Sequence, residues 1–223
     1  MFDDRRDAGR QLAARLLPYQ DRDPVVLALP RGGVPVGYEI ARALGAPLDI
    51  IVVRKLGAPG QPELGIGAVV DGDHPLGVLN EEVMKTLVVP EAYLEHEVTA
   101  QLAEIRRRQA AYRSGRAALP VAGRTAIVVD DGLATGGSMR AALRSVRRAA
   151  PARLVLAVPV APPDTLARLA AEVDETICLE TPELFGAVGY FYRDFTQTTD
   201  DEVIRLLAAC QAGSTAAPHT RGA

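Results

Sequence analysis

The chain has no tryptophan and few aromatics, with phenylalanine, tyrosine and tryptophan together making up 4% of its residues. Its basic stretch at Arg106, Arg107, Arg108 and Arg113 has no interleaved aromatics beyond Tyr112. It therefore lacks the stacking platform of a single-strand nucleic-acid binder and reads as a solvated helix end. Two cysteines, Cys178 and Cys210, both in apolar runs, exclude a disulfide-built scaffold and read as buried thiols. The three histidines, His74, His96 and His219, are scattered without Cys/His spacing, so no metal site from protein groups alone is expected. No apolar run approaches the ~18 residues needed to cross a membrane. The start, Met1 to Arg6, mixes charges and lacks a signal-peptide core, which points to a cytoplasmic location. A net charge of −3 gives no general attraction to nucleic acid or anionic lipid. Neither Gly-x-x-x-x-Gly-Lys-Ser/Thr nor a Gly-x-Gly-x-x-Gly after a strand occurs, which excludes two common nucleotide folds.

What is present suits one core domain: 223 residues, 48% of them hydrophobic. A helix is expected over 3–17, with Ala8, Leu12 and Leu16 four apart. A buried strand at 25–29 follows. Pro35 and Gly45 then bracket a helix with Val36, Ile40 and Leu44 on one face. The next strand is 48–53. This α-β-α-β order with short links predicts a parallel sheet. Residues 54–67 hold too many Gly and Pro for a regular element and read as a long functional loop. A hairpin over 68–79, a short helix capped by Asn80 and a long helix from Pro90 come next. Leu94, Val98, Leu102, Ile105 and Tyr112 form the apolar stripe of the long helix. Beyond residue 150 the reading is a strand at 153–160, a helix from Pro162 to Glu172, a strand at 175–179 and an irregular aromatic segment over 181–198. A last helix opens with the capping pattern Thr199 to Glu202. Residues 211–223 are expected to be disordered.

The most informative stretch is 125–138. Five apolar or β-branched residues, Thr125 to Val129, read as a strand buried on both faces. Asp130 and Asp131 close it. Ala134, Thr135, Gly136, Gly137 and Ser138 then lead into a helix carrying Met139, Leu143 and Val146. Glycines let amides approach an anion, and a helix N-terminus adds partial positive charge. Two carboxylates are poor phosphate partners but good acceptors for vicinal ribose hydroxyls.

This order of strand, acidic pair and small Thr/Gly/Ser loop resembles the phosphoribosyl-pyrophosphate motif of the type I phosphoribosyltransferases. Gly132 departs from it, standing where that family usually has an aliphatic residue, and is expected to loosen the turn. The resemblance covers about residues 5–195. It implies an open, mainly parallel twisted α/β sheet flanked by helices, as one domain over 1–210. An inserted hairpin plus long helix would occupy 68–116 and a small hood about 180–198. The implied reaction transfers the 5-phosphoribosyl group from phosphoribosyl pyrophosphate to a nitrogen of a small-molecule acceptor, a nucleobase, with release of pyrophosphate. Residues 134–138 would hold the 5-phosphate, and Asp130 and Asp131 the ribose. Arg31, Gly32 and Gly33 would form the pyrophosphate loop, with a cis peptide at Pro30–Arg31 or next to it. Arg54 and Lys55, at the end of the second strand, would supply cations toward the leaving group, and the loop 56–67 would close over the reacting carbon. Tyr190, Phe191 and Tyr192 lie either against the acceptor or in a small satellite core. Mg²⁺ would be bridged by substrate oxygens rather than caged by the protein. A homo-oligomer is compatible with this reading; membrane or specific nucleic-acid partners are not implied. The alternative is a non-catalytic regulatory protein that binds phosphoribosyl pyrophosphate, although no DNA-binding module is visible.

Overall fold

The computed structural model describes residues 1–70 and 76–214. Two apolar runs set its centre. Strands β1 (Pro24–Ala28) and β6 (Thr125–Val129) are buried at every position, as expected of strands covered on both faces. They pair in parallel, Leu27 opposite Val128. With β2 (Leu48–Ile50), β7 (Arg153–Val160) and β8 (Glu175–Glu180) they form a parallel sheet in the order β2-β1-β6-β7-β8. Alternate side chains serve opposite faces. Val26, Ala28, Ile127 and Val129 pack under α1 (Arg5–Leu16), α2 (Gly33–Leu44) and α7 (Asp200–Ser214). Val25, Leu27, Ala126 and Val128 pack under α5 (Gly137–Arg148) and α6 (Pro163–Ala170). The chain leaves β1 for β2 on one side, and β6 joins on the other. The carboxyl ends of β1 and β6 therefore flank a topological switch point, where open α/β sheets bind ligands.

Between β2 and β6 lies a second, antiparallel sheet of β3 (Val53–Ala58), β4 (Gln61–Val70) and β5 (Leu76–Leu79). This corrects the expectation of an irregular loop over 54–67: those residues form a ribbon that turns at Pro59 and Gly60. Its glycines occupy ladder positions. Gly57 faces Gly65 beside a register shift, and a Cβ on Gly67 would come within 2.6 Å of the Val78 carbonyl oxygen. The hairpin reading beyond it holds in its strands, while its turn at 71–75 lies outside the described residues.

Asn80 caps α3 (Glu81–Leu87) by accepting from the Val83 amide. The long helix α4 (Glu91–Arg113) follows Pro90, with Ile105 and Tyr112 buried and Leu94, Val98 and Leu102 packed against the core. Its basic end is engaged within the protein. Arg107 and Arg108 both bond Glu104 at 2.7 Å, and Arg113 reaches Asp49 of β2 at 2.8 Å. Thr199 accepts from the Glu202 amide at the start of α7. That helix runs to Ser214, past the expected boundary at 210, and residues 215–223 lie outside the described residues. Both cysteines are free thiols, and burial pushes the Cys178 thiol up to about 11. Among the described residues no helix is long and apolar enough to cross a membrane.

Candidate functional site

The acidic pair stands where β6 ends. Asp130 Oδ1 accepts from the Asp131 amide at 2.9 Å. Asp131 Oδ2 accepts from Arg5 Nε at 2.7 Å, and the Asp131 carbonyl accepts from the Tyr192 hydroxyl at 2.5 Å. Burial, then the charge of Asp131, pushes the Asp130 carboxyl well above the ordinary aspartate range. Burial also raises Asp131, but the adjacent Arg5 guanidinium opposes it. Of the two, Asp131 is thus the better ionised and Asp130 the better proton holder.

Residues 134–138, the candidate anion cradle, form a loop anchored from behind. The Leu133 amide bonds Val160 of β7, and the Ala134 carbonyl accepts from Thr165 Oγ1 at 2.7 Å. Gly136 caps α5 at φ +75°, a left-handed conformation, and a Cβ there would lie 2.9 Å from Thr165 Cγ2. No side chain caps this helix, so its first-turn amides remain available to a ligand. Gly137 has open space on its Cβ side, and Thr135 is exposed.

The second cradle follows β1. The Leu29 amide bonds the Val129 carbonyl, the Pro30–Arg31 peptide is cis, and the Gly33 amide closes onto Leu29. The loop lies directly on the acidic pair. A Cβ on Gly33 would be 2.9 Å from the Val129 carbonyl oxygen and 3.0 Å from Asp130 Cα. Arg31 Nη1 is 3.7 Å from Asp200 Oδ1, which also accepts from the Tyr112 hydroxyl at 2.7 Å. Burial and this aspartate push the Tyr112 phenol up to about 12.

Asp130, Asp131, Arg31, Gly32, Gly33 and residues 134–138 therefore come together at one end of the parallel sheet. The other expected residues do not all join them. Arg54 and Lys55 belong to β3 of the small sheet, beyond the end of β2; Arg54 Nε bonds Gln101 of α4 at 2.8 Å, and Lys55 is exposed. Of the aromatic trio, Phe191 stacks on Phe185 with ring centres 5.4 Å apart. Tyr192 is buried against Phe2 and Val160. These two form the satellite core, and only Tyr190, 74% exposed, is open to a ligand. Gly132 does not loosen its turn. It sits at φ +154°, where a Cβ would come within 2.6 Å of Val188 Cγ1 and 2.9 Å of Val160 Cγ1, so the absent side chain lets the hood seat itself.

Sequence reasoning missed Arg5 and the anchoring role of Tyr192. It also missed the N-terminal strand-like segment, in which the Phe2 amide bonds the Phe191 carbonyl and the Arg193 amide bonds the Phe2 carbonyl. The one local signal for Arg5 was a cation in the first turn of a helix, where the dipole disfavours it. Among the described residues no group of three or more His, Cys, Asp and Glu side chains is placed to hold a metal. A cavity of about 470 Å³ lies elsewhere, between α4, α5 and β2; Asp49, Gln109, Arg113 and Ser145 contribute to its wall, and none of the residues of the two cradles does.

An acidic pair flanked by two glycine-containing loops at the switch point of a parallel sheet places this chain among the open α/β folds with a candidate site at the strand ends. Residues 3–195 match the phosphoribosyl transferase domain, and the chain belongs to that family. It is 50% identical over 207 residues, 93% of its length, to the Mycobacterium tuberculosis H37Rv protein named "Putative phosphoribosyl transferase Rv0571c". The same identity holds for MT0597 of strain CDC 1551. The chain spans about half the length of these curated relatives, 46% of each. Among solved structures it is similar to TT1426 from Thermus thermophilus, with 45% identity and a TM-score of 0.80 over 94% of this chain and 98% of that one.

Proposed function

We propose that the chain transfers the 5-phosphoribosyl group of phosphoribosyl pyrophosphate to a nitrogen of a small acceptor, a nucleobase, releasing pyrophosphate. The observation that carries this reading is the convergence of the two cradles on one acidic pair, with Gly32 and Gly33 in contact with Asp131 and Asp130. The amides of 134–138 and the start of α5 take the 5-phosphate. Asp131, whose charged form Arg5 favours, accepts from one ribose hydroxyl. Asp130, which holds its proton more tightly, can both donate and accept at the other. Their partial charge offsets the positive charge that grows on the ribose ring as the leaving group departs. Arg31 and the amides of its loop take the charge that accumulates on pyrophosphate.

Mg²⁺ would suit this site as an ion that arrives with the substrate: Asp130 and Asp131 would hold the ribose, and the ion would help neutralise pyrophosphate. Among the described residues no side chain stands out as a general base, so positioning and electrostatics carry the acceleration. Tyr190 is the aromatic face offered to the acceptor. The engagement of Arg54 by Gln101 favours the second reading, a binding-only regulatory protein, because it holds an expected leaving-group cation on α4. Pyrophosphate release, measured with phosphoribosyl pyrophosphate, Mg²⁺ and a panel of purines, pyrimidines and simpler amines, separates the two. Tight binding by calorimetry with no release for any acceptor would select the regulatory reading.

A further inference from the structure

Arg5 is the first residue of α1, whose start is capped by Asp4 accepting from the Asp7 amide. A cation there opposes the helix dipole, so helix formation does not explain it. Its surroundings do. Nε donates to Asp131 Oδ2 at 2.7 Å, Nη1 donates to the Thr196 carbonyl at 2.7 Å, and the guanidinium lies 3.9 Å from the centre of the Phe195 ring. The Arg5 and Asp131 side chains are only 11% and 15% exposed. A pair so withdrawn from water persists only when geometry is good and the remaining donors are satisfied, and a planar guanidinium with several donors meets that condition where an ammonium does not.

We propose that Arg5 is a positioning residue of this site: it holds the Asp131 carboxylate in its ribose-binding orientation and ties it to the hood through Thr196 and Phe195. The inference rests on the phosphoribosyl reading of the acidic pair. Asp131 is then fixed from every side. Arg5 grips Oδ2 from α1, Gly32 backs the same oxygen, Tyr192 anchors the carbonyl, and Asp130 receives the amide. The ionisable groups facing Asp131 are Arg5, Asp130 and Tyr192, and Arg5 is the strongest of them in favouring its charged form, with a lesser contribution from its hydrogen bond with Asp130. Without Arg5, burial loses its main opponent and Asp131 takes up a proton at higher pH.

The test compares wild type, Arg5→Gln and Arg5→Lys as full chains. Calorimetric titration with phosphoribosyl pyrophosphate and Mg²⁺ is run from pH 5 to pH 8, and the Asp131 carboxyl is titrated by carbon NMR. Arg5→Gln should weaken binding at pH 7 about tenfold or more and move the Asp131 midpoint upward by about one pH unit, since one unit is a factor of ten. Arg5→Lys should keep most of the midpoint but lose affinity severalfold, because it cannot also reach Thr196 and Phe195. Should Arg5→Gln fail to fold, Arg5→Lys carries the affinity comparison, and unchanged affinity in it overturns the proposal. Unchanged affinity and midpoint in a variant that merely melts lower would overturn the proposal and leave a structural clamp. If wild type binds no phosphoribosyl pyrophosphate, the functional reading fails; the NMR titration then decides separately whether Arg5 governs Asp131.

Discussion

Gly32 lies flush against the carboxylate of Asp131: a Cβ on the glycine would stand 2.0 Å from Oδ2 and 2.5 Å from Cγ. The Gly32 backbone is ordinary, at φ −61°, so the requirement is for space rather than for a special conformation. Gly32→Ala should therefore displace the carboxylate from Arg5, cost about 1–3 kcal/mol in stability as an overpacked contact, and abolish tight binding of phosphoribosyl pyrophosphate. Thermal melting and calorimetry on one preparation would check both effects. Binding retained at wild-type strength would separate the pyrophosphate loop from the acidic pair.

The two glycines of the phosphate cradle should respond differently. Gly136→Val forces a β-branched residue to φ +75° and against Thr165, so both stability and binding should fall. A Cβ at Gly137 has open space beyond its own helix, so Gly137→Val should melt close to wild type while ligand affinity drops. Ser138→Ala removes a single hydroxyl and should cost about 1 kcal/mol of binding at most. If Gly137→Val binds like wild type, the 5-phosphate sits elsewhere.

Asp130 sets a trade between stability and binding. Its folded-state pKa lies above the 3.8 of a free aspartate, so between those two values the folded chain binds more protons than the unfolded one. The stability it contributes is complete below the unfolded pKa and is lost as pH rises through that window. Asp130→Asn abolishes this loss. The variant should melt above wild type at pH 7, converge with it near about pH 3, where both carboxyls are neutral, and bind phosphoribosyl pyrophosphate poorly. A lower melting point at pH 7 would mean that Asp130 is a structural carboxylate.

A fourth expectation concerns the inserted long helix. Asp49 is nearly enclosed, accepting from Arg113 Nε at 2.8 Å, from the Leu119 amide at 2.9 Å and from the Ile50 amide at 2.8 Å. Arg113→Ala leaves that carboxylate without its cation and should cost about 3–5 kcal/mol. Urea unfolding would show it as a lower midpoint with little change in slope.

The parts legible in the sequence were those set by local pattern. The apolar runs at β1 and β6 admit only strands covered on both faces, and a strand followed by small residues and a helix marks each cradle. The cis peptide falls at Pro30–Arg31, one of the positions the family resemblance implied. What escaped was decided by contacts between distant residues. Gly57, Gly65 and Gly67 read as breakers because the cross-strand approach to Val78 is invisible along the chain. Arg5 meets a carboxylate 126 residues away. Tyr192 could be read either as a base-stacking ring or as part of a satellite core, and the choice is made by Phe2 at the other end of the chain.

The small sheet has two allegiances. Ala68 and Val70 belong to the cluster around Met139 and Leu143 of the phosphate helix, while Ile66 and Val69 belong to the cluster that holds Ile105 and Tyr112 of the long helix. It sits as a wedge between the two clusters. Anyone trimming this protein to a minimal core, or exchanging inserts between relatives, would be removing a flank of α5 itself. The register of 66–70 would have to travel with the graft, because the helix that follows the 134–138 loop is shimmed by Ala68 and Val70.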